Sequence, residues 1–401
     1  MTANAGYKAY ATGDVLTAAQ VQYNLQNQTV MYFATTTARD AALTGAILVE
    51  GMVSYTPATG LMYYNGTAWT AVGGSTIPTS YGFTAGKNKV LNADFNIWQR
   101  GTSGSSTGAG QYVGADRFNY GTTGTASAIS QQTFTPGTAP VSGYEGTYYS
   151  RTTGGAASTY IDIGQWIENV QTYAGTNVTF TFWAKSSVSL IFTPTLYQNF
   201  GSGGSTQVTT TASNVTLTSS WVRYTASFTV PSIAGKTIGT SSKLGIYLVY
   251  SSGVLATTTF DTWGWQLEPG TTASSFAIAS SSLATELAAC QRYYIRNTPG
   301  VAYGYQGTAL YNNSGSGVVV PIPLKATMRV VPTSLDYGNL RIQENGIGSV
   351  GTISNIALAS ECNANFAYVS ITVGSGVSAA RAYILMNDNN TAGYLGFSAE
   401  L

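Results

Sequence analysis

Val222-Arg223-Tyr224-Thr225-Ala226-Ser227-Phe228-Thr229-Val230 places an apolar side chain at every second position and a polar one between. A period of two marks a half-buried strand, whereas a helix would repeat at about 3.6. Val178-Thr179-Phe180-Thr181-Phe182-Trp183 reads the same way, as do Leu244, Ile246, Leu248 and Tyr250 against Gly245, Tyr247 and Val249. Glycine- and serine-rich loops at 101–110 and 201–204 separate such runs. From about residue 87 to 276 the chain reads strand, turn, strand. Roughly eight to ten strands in that length fit a jelly-roll β-sandwich.

Composition agrees. Of 401 residues only 17 are Lys or Arg and 16 Asp or Glu, where an average chain of this length carries about 100 charged residues. Disorder is excluded, because the chain is 44% hydrophobic and 12% aromatic, with 28 Tyr and 46 Gly. There is no histidine, which removes the Ser-His-Asp triad, the Cys-His dyad and the histidine zinc sites. Two cysteines, Cys290 and Cys362, cannot build a four-cysteine zinc site and read as free thiols. A net charge of +1 gives no footprint for nucleic acid or an anionic membrane. No signal peptide or transmembrane helix is expected. Gly201-Ser202-Gly203-Gly204 is no P-loop, since no Gly-Lys-Ser/Thr follows it.

The ends differ from the middle. Thr17-Ala18-Ala19-Gln20 has capping-box spacing and opens a helix expected over residues 17–29. A short helix is expected from Thr37 through Leu43, with Gly45 as its C-cap. Short strands follow at 52–55, 61–64 and 68–72, with Asn65-Gly66 as a type I′ hairpin signal, before the linker Gly73-Gly74-Ser75. Leu283, Leu287, Cys290 and Tyr294 share helical spacing and predict a helix over 282–296. Strands are then expected at 318–320, 328–331, 367–373, 381–386 and 393–399, with Pro321 and Pro323 at an edge or in extended backbone. The fold class is therefore mostly β. Residues 1–75 form a small helix-plus-hairpin module, 76–296 a jelly roll ending in a short helix, and 297–401 a smaller C-terminal β-sandwich.

Several co-linear motifs resemble those of tailed-bacteriophage tail and tail-fibre proteins. The N-terminal set is Gly13-Asp14-Val15-Leu16-Thr17-Ala18-Ala19-Gln20-Val21, Ala38-Arg39-Asp40-Ala41-Ala42, Glu50-Gly51-Met52-Val53 and Tyr63-Tyr64-Asn65-Gly66-Thr67-Ala68-Trp69. The central set resembles the carbohydrate-binding-module-like sandwich of phage fibres. It comprises Asn92-Ala93-Asp94-Phe95-Asn96-Ile97-Trp98-Gln99-Arg100-Gly101-Thr102, Ala115-Asp116-Arg117-Phe118, Phe182-Trp183-Ala184-Lys185 and Gly264-Trp265-Gln266-Leu267-Glu268-Pro269-Gly270. Glu286-Leu287-Ala288-Ala289-Cys290-Gln291-Arg292-Tyr293-Tyr294 resembles the segment that follows it. The resemblance implies a virion component, made in the host cytoplasm and usually homotrimeric. It implies attachment to tail or baseplate proteins through the N-terminal module, and distal domains that meet a host-surface glycan. A trimer would also bury part of the uncharged surface of so neutral a chain. The alternatives are a carboxylate-dependent polysaccharide depolymerase and a purely structural tail or baseplate protein.

With histidine absent, carboxylates are the acid/base candidates: Asp94, Asp116, Asp162, Glu168, Asp261 and Glu268. None forms a pair of diagnostic spacing, so no catalytic residue is assigned and a non-enzyme is expected. Buried charges must be paired. The motif charges Arg100, Arg117, Asp94, Asp116 and Glu268 are therefore read as structural ion pairs inside the sandwich. Asn92, Asp94 and Asp261 resemble the placement of a structural calcium in carbohydrate-binding modules. Calcium takes six to eight oxygens, however, so no metal or other cofactor is assigned.

Sugar recognition needs flat aromatic faces beside amides and hydroxyls. Tyr197-Gln198-Asn199, Tyr247 with Tyr250, and Tyr303, Tyr305, Tyr311, Asn312 and Asn313 combine them. The last cluster is favoured as the glycan site because the C-terminal domain should be distal. A chain without histidine has no side chain of unperturbed pKa near neutrality. Glycan binding is therefore expected to be nearly flat from about pH 5.5 to 8. A protein-derived midpoint in that window, in a binding titration, would contradict it.

Overall fold

The computed structural model describes residues 30–44, 48–72, 87–311, 317–344, 348–349, 352–378 and 381–401. The helix expected at 17–29, Gly45 and the linker at 73–75 lie outside them. The chain divides into two compact units, residues 1–82 and 83–401.

In the first unit, β1 (Val30–Tyr32) runs parallel to β2 (Val53–Thr56), which continues antiparallel into β3 (Gly60–Tyr64) and β4 (Trp69–Ala71). The meander was legible in the sequence, but β1 was not. Between β1 and β2, α1 (Thr36–Ala42) is capped by Thr35, whose Oγ1 accepts from the Ala38 N–H at 3.1 Å. Arg39 is buried and stacks on Trp69, 4.6 Å from the ring centre. The Asn65-Gly66 signal builds a four-residue loop in place of a two-residue turn, because Tyr64 pairs with Trp69. Asn65 Oδ1 accepts from the Thr67 and Ala68 N–H groups at 3.0 and 2.8 Å and organises that loop.

The second unit opens with β5 (Ser103–Ser106), β6 (Phe118–Thr123), β7 (Ser127–Thr133), β8 (Tyr148–Thr153), β9 (Tyr160–Glu168) and β10 (Asn177–Ser186). It continues with β11 (Leu190–Asn199), β12 (Val208–Thr211), β13 (Val215–Leu217), β14 (Val222–Thr229), β15 (Lys243–Tyr250) and β16 (Thr259–Pro269). The chain passes back and forth between two antiparallel sheets, ordered β14-β10-β16-β8-β7-β5 and β12-β11-β15-β9-β6, with β13 beside β11. This is the jelly roll that the alternating runs predict. Phe180, Phe182, Ile161, Ile163, Leu196, Leu244, Ile246 and Leu248 fill the space between the sheets.

A bulge interrupts the β10–β16 register between Thr181 and Trp183. Gly264 sits there at φ +66°, and a Cβ on it would lie 2.6 Å from the Trp183 ring. The extra residue sends neighbouring tryptophans to opposite faces. Trp265 packs inward on Phe118 and Phe180, at 5.2 and 5.0 Å between ring centres. Trp263 packs outward on Trp183 and Phe276, at 5.5 and 4.8 Å.

Helix α2 (Leu283–Gln291) begins at Ser282, whose Oγ accepts from Thr285 N–H at 3.2 Å. It ends earlier than its spacing suggests, and Tyr294 belongs to a strand. That strand is β17 (Tyr294–Asn297), followed by β18 (Tyr305–Tyr311), β19 (Gly317–Pro323), β20 (Ser334–Gly338), β21 (Leu340–Glu344) and β22 (Gly348–Ser349). β23 (Ile353–Leu358), β24 (Phe366–Val373), β25 (Tyr383–Asn387) and β26 (Tyr394–Ser398) complete the chain. A three-stranded sheet, β17-β26-β20, faces a seven-stranded one, β22-β21-β25-β18-β19-β24-β23, across a second core that includes Val318, Val320, Ile371, Leu385 and Phe397. β19 is internal, yet its ladder with β18 covers only Val318 and Val319, so Pro321 and Pro323 lie beyond it. Residues 328–331 form no strand. Their backbone is satisfied elsewhere, with Met328 N–H on Ala364 O at 2.8 Å and Arg329 N–H on Arg292 O at 2.7 Å. Both cysteines are free; Cys290 is buried and Cys362 half-buried.

The jelly roll and the C-terminal strands meet at a buried charge cluster. Arg117, 1% exposed, lies 3.4 Å over the Tyr293 ring, pairs with Glu400 Oε2, and donates to Trp166 O at 2.6 Å. Arg100 lies 3.6 Å over the Tyr294 ring and reaches Glu400 Oε1 at 3.3 Å. Gln99 donates to Asp116 and to Tyr294 O. Removing one partner of a buried pair strands the other, at a cost of about 3–5 kcal/mol. Glu400→Gln should therefore lower unfolding stability by an amount in that range in urea denaturation. An unchanged midpoint would show that Glu400 is not the counter-charge.

Candidate functional site: an aromatic face on the sandwich

Alternation along the sheet β12-β11-β15-β9-β6 sends Ile161, Ile163, Leu244, Ile246 and Leu196 into the core. The same alternation leaves Tyr160, Asp162 and Trp166 of β9, Tyr247 of β15 and Tyr197 of β11 on the outer face. Register sets Tyr197 opposite Gly245 and Gly245 opposite Trp166. It likewise sets Tyr247 opposite Gly164, which is opposite Asn119. The glycines leave room for the rings to lie across the sheet. A Cβ at 164 would be 2.2 Å from the Tyr247 ring, and one at 245 would be 2.6 Å from Trp166.

The three rings form one cluster, with Trp166–Tyr247, Trp166–Tyr197 and Tyr197–Tyr247 centres 5.3, 6.1 and 5.2 Å apart. Tyr247 is the buried floor, 4% exposed, while Trp166 and Tyr197 are half-exposed. Polar groups rim the rings. Lys243 Nζ stands 4.4 Å over Trp166. Tyr160 Oη donates to Asp162 Oδ2 at 2.7 Å, and Asn119 Nδ2 donates to Tyr247 Oη at 2.8 Å. Burial pushes the Asp162 carboxyl above its ordinary range against the hydrogen bond from Tyr160. Burial also lowers the Lys243 ammonium, helped by Arg329 and Arg117 nearby. At one end the face is closed by Glu168, held by Arg292 at 3.1 and 3.2 Å and by Tyr293 Oη at 2.7 Å.

Of the glycan candidates read from sequence, Tyr197 and Tyr247 stand on this face, whereas Gln198 and Tyr250 point into the core. Gln198 Nε2 is spent on Pro231 O at 2.9 Å. Tyr303 and Tyr305 are 48% and 59% exposed, with the Arg341 guanidinium 4.9 Å over the Tyr303 ring. Tyr311 ends the strand that Tyr305 begins, about 20 Å away at strand rise, so the structure does not gather these tyrosines into one site. Asn312 and Asn313 lie outside the described residues.

The motif charges are buried as expected, but with other partners. Arg100 and Arg117 converge on Glu400 and make no ion pair with Asp94, Asp116 or Glu268. Glu268 pairs with Lys87 at 2.7 Å and accepts from Ser274 Oγ at 2.6 Å. Asp94 accepts from Tyr144 Oη at 2.6 Å and from Asn96 Nδ2 at 2.7 Å. Asp261 is held by Arg151 at 2.7 and 2.9 Å, with Lys185 at 3.6 Å. Asn92 is committed to Ile97 and to Asp116 O. Asn92, Asp94 and Asp261 therefore do not fit a calcium site: the acids already face donors, two of them cations. Asp162 and Glu168 share one face of β9 but sit about 20 Å apart along it, wider than any glycosidase pair.

Sequence reading missed Trp166, Tyr160 and Glu400. Trp166 and Tyr160 did carry a signal, since Tyr160-Ile161-Asp162-Ile163-Gly164-Gln165-Trp166 alternates and puts Tyr, Asp, Gly and Trp on one side. Glu400 stands in the ending Phe397-Ser398-Ala399-Glu400-Leu401, which also resembles the phage proteins, but nothing there pointed to its partners 283 and 300 residues away.

No protein-family model matches the chain, and no curated protein matches it. Among solved structures it is similar to a family 4 carbohydrate-binding module at 22% identity, covering 36% of this chain and 87% of that one, with a TM-score of 0.24. It is similar to the C-terminal family 22 carbohydrate-binding module of Clostridium thermocellum Xyn10B at 17% identity, covering 47% and 99%, TM-score 0.29. It is also similar to the enzymatically active domain of bacteriophage CBA120 tailspike protein 4 at 12% identity, covering 46% of this chain and 22% of that one, TM-score 0.29. Scores this low do not define a shared overall fold, and the reading of the site rests on its own geometry.

Among the motif charges, Asp116 titrates closest to neutrality. Burial lifts its carboxyl to about 6, against the field of Arg100 and the hydrogen bonds from Gln99. The folded state thus holds this proton more tightly than the unfolded chain, and the resulting stability is present below about pH 4 and lost as pH rises through about 6. A shift of this size is worth about 3 kcal/mol. The wild-type stability minus that of Asp116→Asn, followed by denaturation from pH 4 to 7, should fall with rising pH. A flat or rising difference would refute the assignment.

Proposed function

We propose that this chain is a non-catalytic glycan-binding protein that receives a neutral polysaccharide on the outer face of β9, β11 and β15. The observation that carries this reading is the pair of half-buried rings, Trp166 and Tyr197, set against Tyr247 and rimmed by Asp162 and Lys243. Such rings cover the apolar side of a pyranose, and the polar rim meets its hydroxyls. The setting proposed with it is a bacteriophage tail fibre, supported by the co-linear sequence motifs. The N-terminal module would dock on tail or baseplate proteins, and a homotrimer would present three copies to the host surface. Several weak sites on one particle raise avidity by about 10²–10⁴ without a new contact.

Affinity electrophoresis through gels containing soluble xylan, galactan or mixed-linkage β-glucan tests the site. At least one polymer should retard the wild-type chain and leave with its size unchanged. Trp166→Ala and Tyr197→Ala should each weaken retardation about 10- to 30-fold, the loss expected for a central aromatic contact. Retardation unaffected by both substitutions would move the site elsewhere, and shortened polymer would make the protein an enzyme.

A further inference from the structure

A second recess lies between the jelly roll and the C-terminal strands, within the unit 83–401. Its volume is about 450 Å³, within the range of small-molecule sites. The floor is one face of the sheet β17-β26-β20. Register places Tyr294, Ser398 and Ser334 in one row and Arg296, Gly396 and Asp336 in the next. Tyr394 stands one step further along β26. The roof is Ser103-Gly104-Ser105 of β5, an edge strand paired only with β7, together with Tyr112 and Val113. Gly396 leaves room for the Tyr294 side chain to lie across the floor towards Asp336, since a Cβ there would lie 2.5 Å from Tyr294 Oη.

The polar groups of this recess are arranged unlike those of the aromatic face. The Arg296 guanidinium lies 3.3 Å over the centre of the Tyr394 ring and donates to Gln99 O at 3.3 Å. Asp336 accepts from Tyr294 Oη at 2.7 Å. Among the described residues neither Arg296 nor Asp336 has an ion-pair partner, although both line the same recess. The jelly-roll acids Glu268 and Asp261, by contrast, are each paired with a cation. Arg100, the other cation on the lining, is already answered by Glu400.

We propose that this recess binds a neutral vicinal diol, one or two pyranose rings of a glycan, held between Arg296 and Asp336. The guanidinium donates to ring or hydroxyl oxygens, and the carboxylate accepts from hydroxyls. Ser103, Ser105, Ser334 and Ser398 can each do either. The opposite charges cancel, which favours a neutral ligand over an anion. Recognition is by hydrogen bonds rather than stacking, because Arg100 and Arg296 already occupy the faces of Tyr294 and Tyr394. The site is separate from the aromatic face and stands whether or not that face binds.

Saturation-transfer NMR on the full chain, with cellobiose, maltose, lactose and xylobiose as neutral probes and glucuronic acid as the anionic one, tests it. To isolate the recess, the measurement is made in the Trp166→Ala background. At least one neutral disaccharide should saturate at millimolar concentration. Asp336→Asn, which keeps the shape and the Tyr294 contact, should weaken it about tenfold, the loss of one charge-assisted hydrogen bond. Ser334→Tyr, an exposed edge-strand position that fills the recess without touching the charges, should abolish it. The proposal is overturned if no neutral probe saturates in that background, if binding survives both substitutions, or if glucuronic acid binds more tightly than every neutral probe.

Discussion

The architecture of residues 83–401 turns on one buried cation. Arg117 has left-handed backbone at φ +71° and is almost wholly out of water. A guanidinium cannot shed its charge, so it must be answered where it lies. The answer comes from the Tyr293 ring, the Trp166 carbonyl and Glu400, which sits beyond the last strand of the fold. Arg100 shares the same carboxylate. The jelly roll therefore reaches its final electrostatic state only when β26 has docked. Buried pairs of this kind are weak sources of net stability but strong against wrong arrangements. Here the network joins the two sandwiches, and Arg100 carries it to the edge of the recess between β5 and the β17-β26-β20 sheet.

The scarcity of charge takes on a different meaning in this setting. Several charged side chains of this unit are used for joints: Arg100, Arg117 and Glu400 between sandwiches, Glu168 with Arg292 and Tyr293, and Glu268 with Lys87. The surfaces proposed for recognition are built chiefly of aromatic rings and hydroxyls, with the opposite charges of Arg296 and Asp336 in the recess. That division suits ligands which are themselves neutral and hydroxylated, and it gives polyanions little to hold. It also shows why lack of histidine does not make the molecule indifferent to pH. Burial, opposed by Arg100 and the Gln99 hydrogen bonds, leaves Asp116 at about 6, so stability can titrate near neutrality in a chain without histidine.

Period-two alternation made the jelly roll and most C-terminal strands legible, because a sheet buried on one face writes its register into every second residue. Reading failed where long-range contacts override local pattern. Tyr294 fits helical spacing, yet it leaves the helix to pair with Ser398. Residues 328–331 look like a strand but satisfy their backbone on Ala364 and Arg292. The Trp263–Trp265 split depends on a bulge that the sequence marks only with a glycine. The ion pairs were foreseen as a class and missed as partners, since buried charge demands a counter-charge without saying from where. Tyr303, Tyr305 and Tyr311 look clustered in sequence, but a strand separates its two ends by its own length.

Glycine's abundance was first a turn signal, and at both candidate sites it has a further use. A pleated sheet of ordinary residues presents a surface filled by side chains. Where Gly245 and Gly164 stand beside Trp166 and Tyr247, the missing Cβ atoms let the rings lie across the neighbouring strand and pack edge to face. Where Gly396 separates Arg296 from Asp336, the missing Cβ lets the Tyr294 hydroxyl cross the sheet to Asp336. In each case a glycine lets a ring on a neighbouring strand lie across the sheet. The sandwich can thus offer ligand-shaped surfaces without lengthening its loops. The partner of a cross-strand glycine is accordingly where a binding residue should be sought in a β-protein this poor in charge.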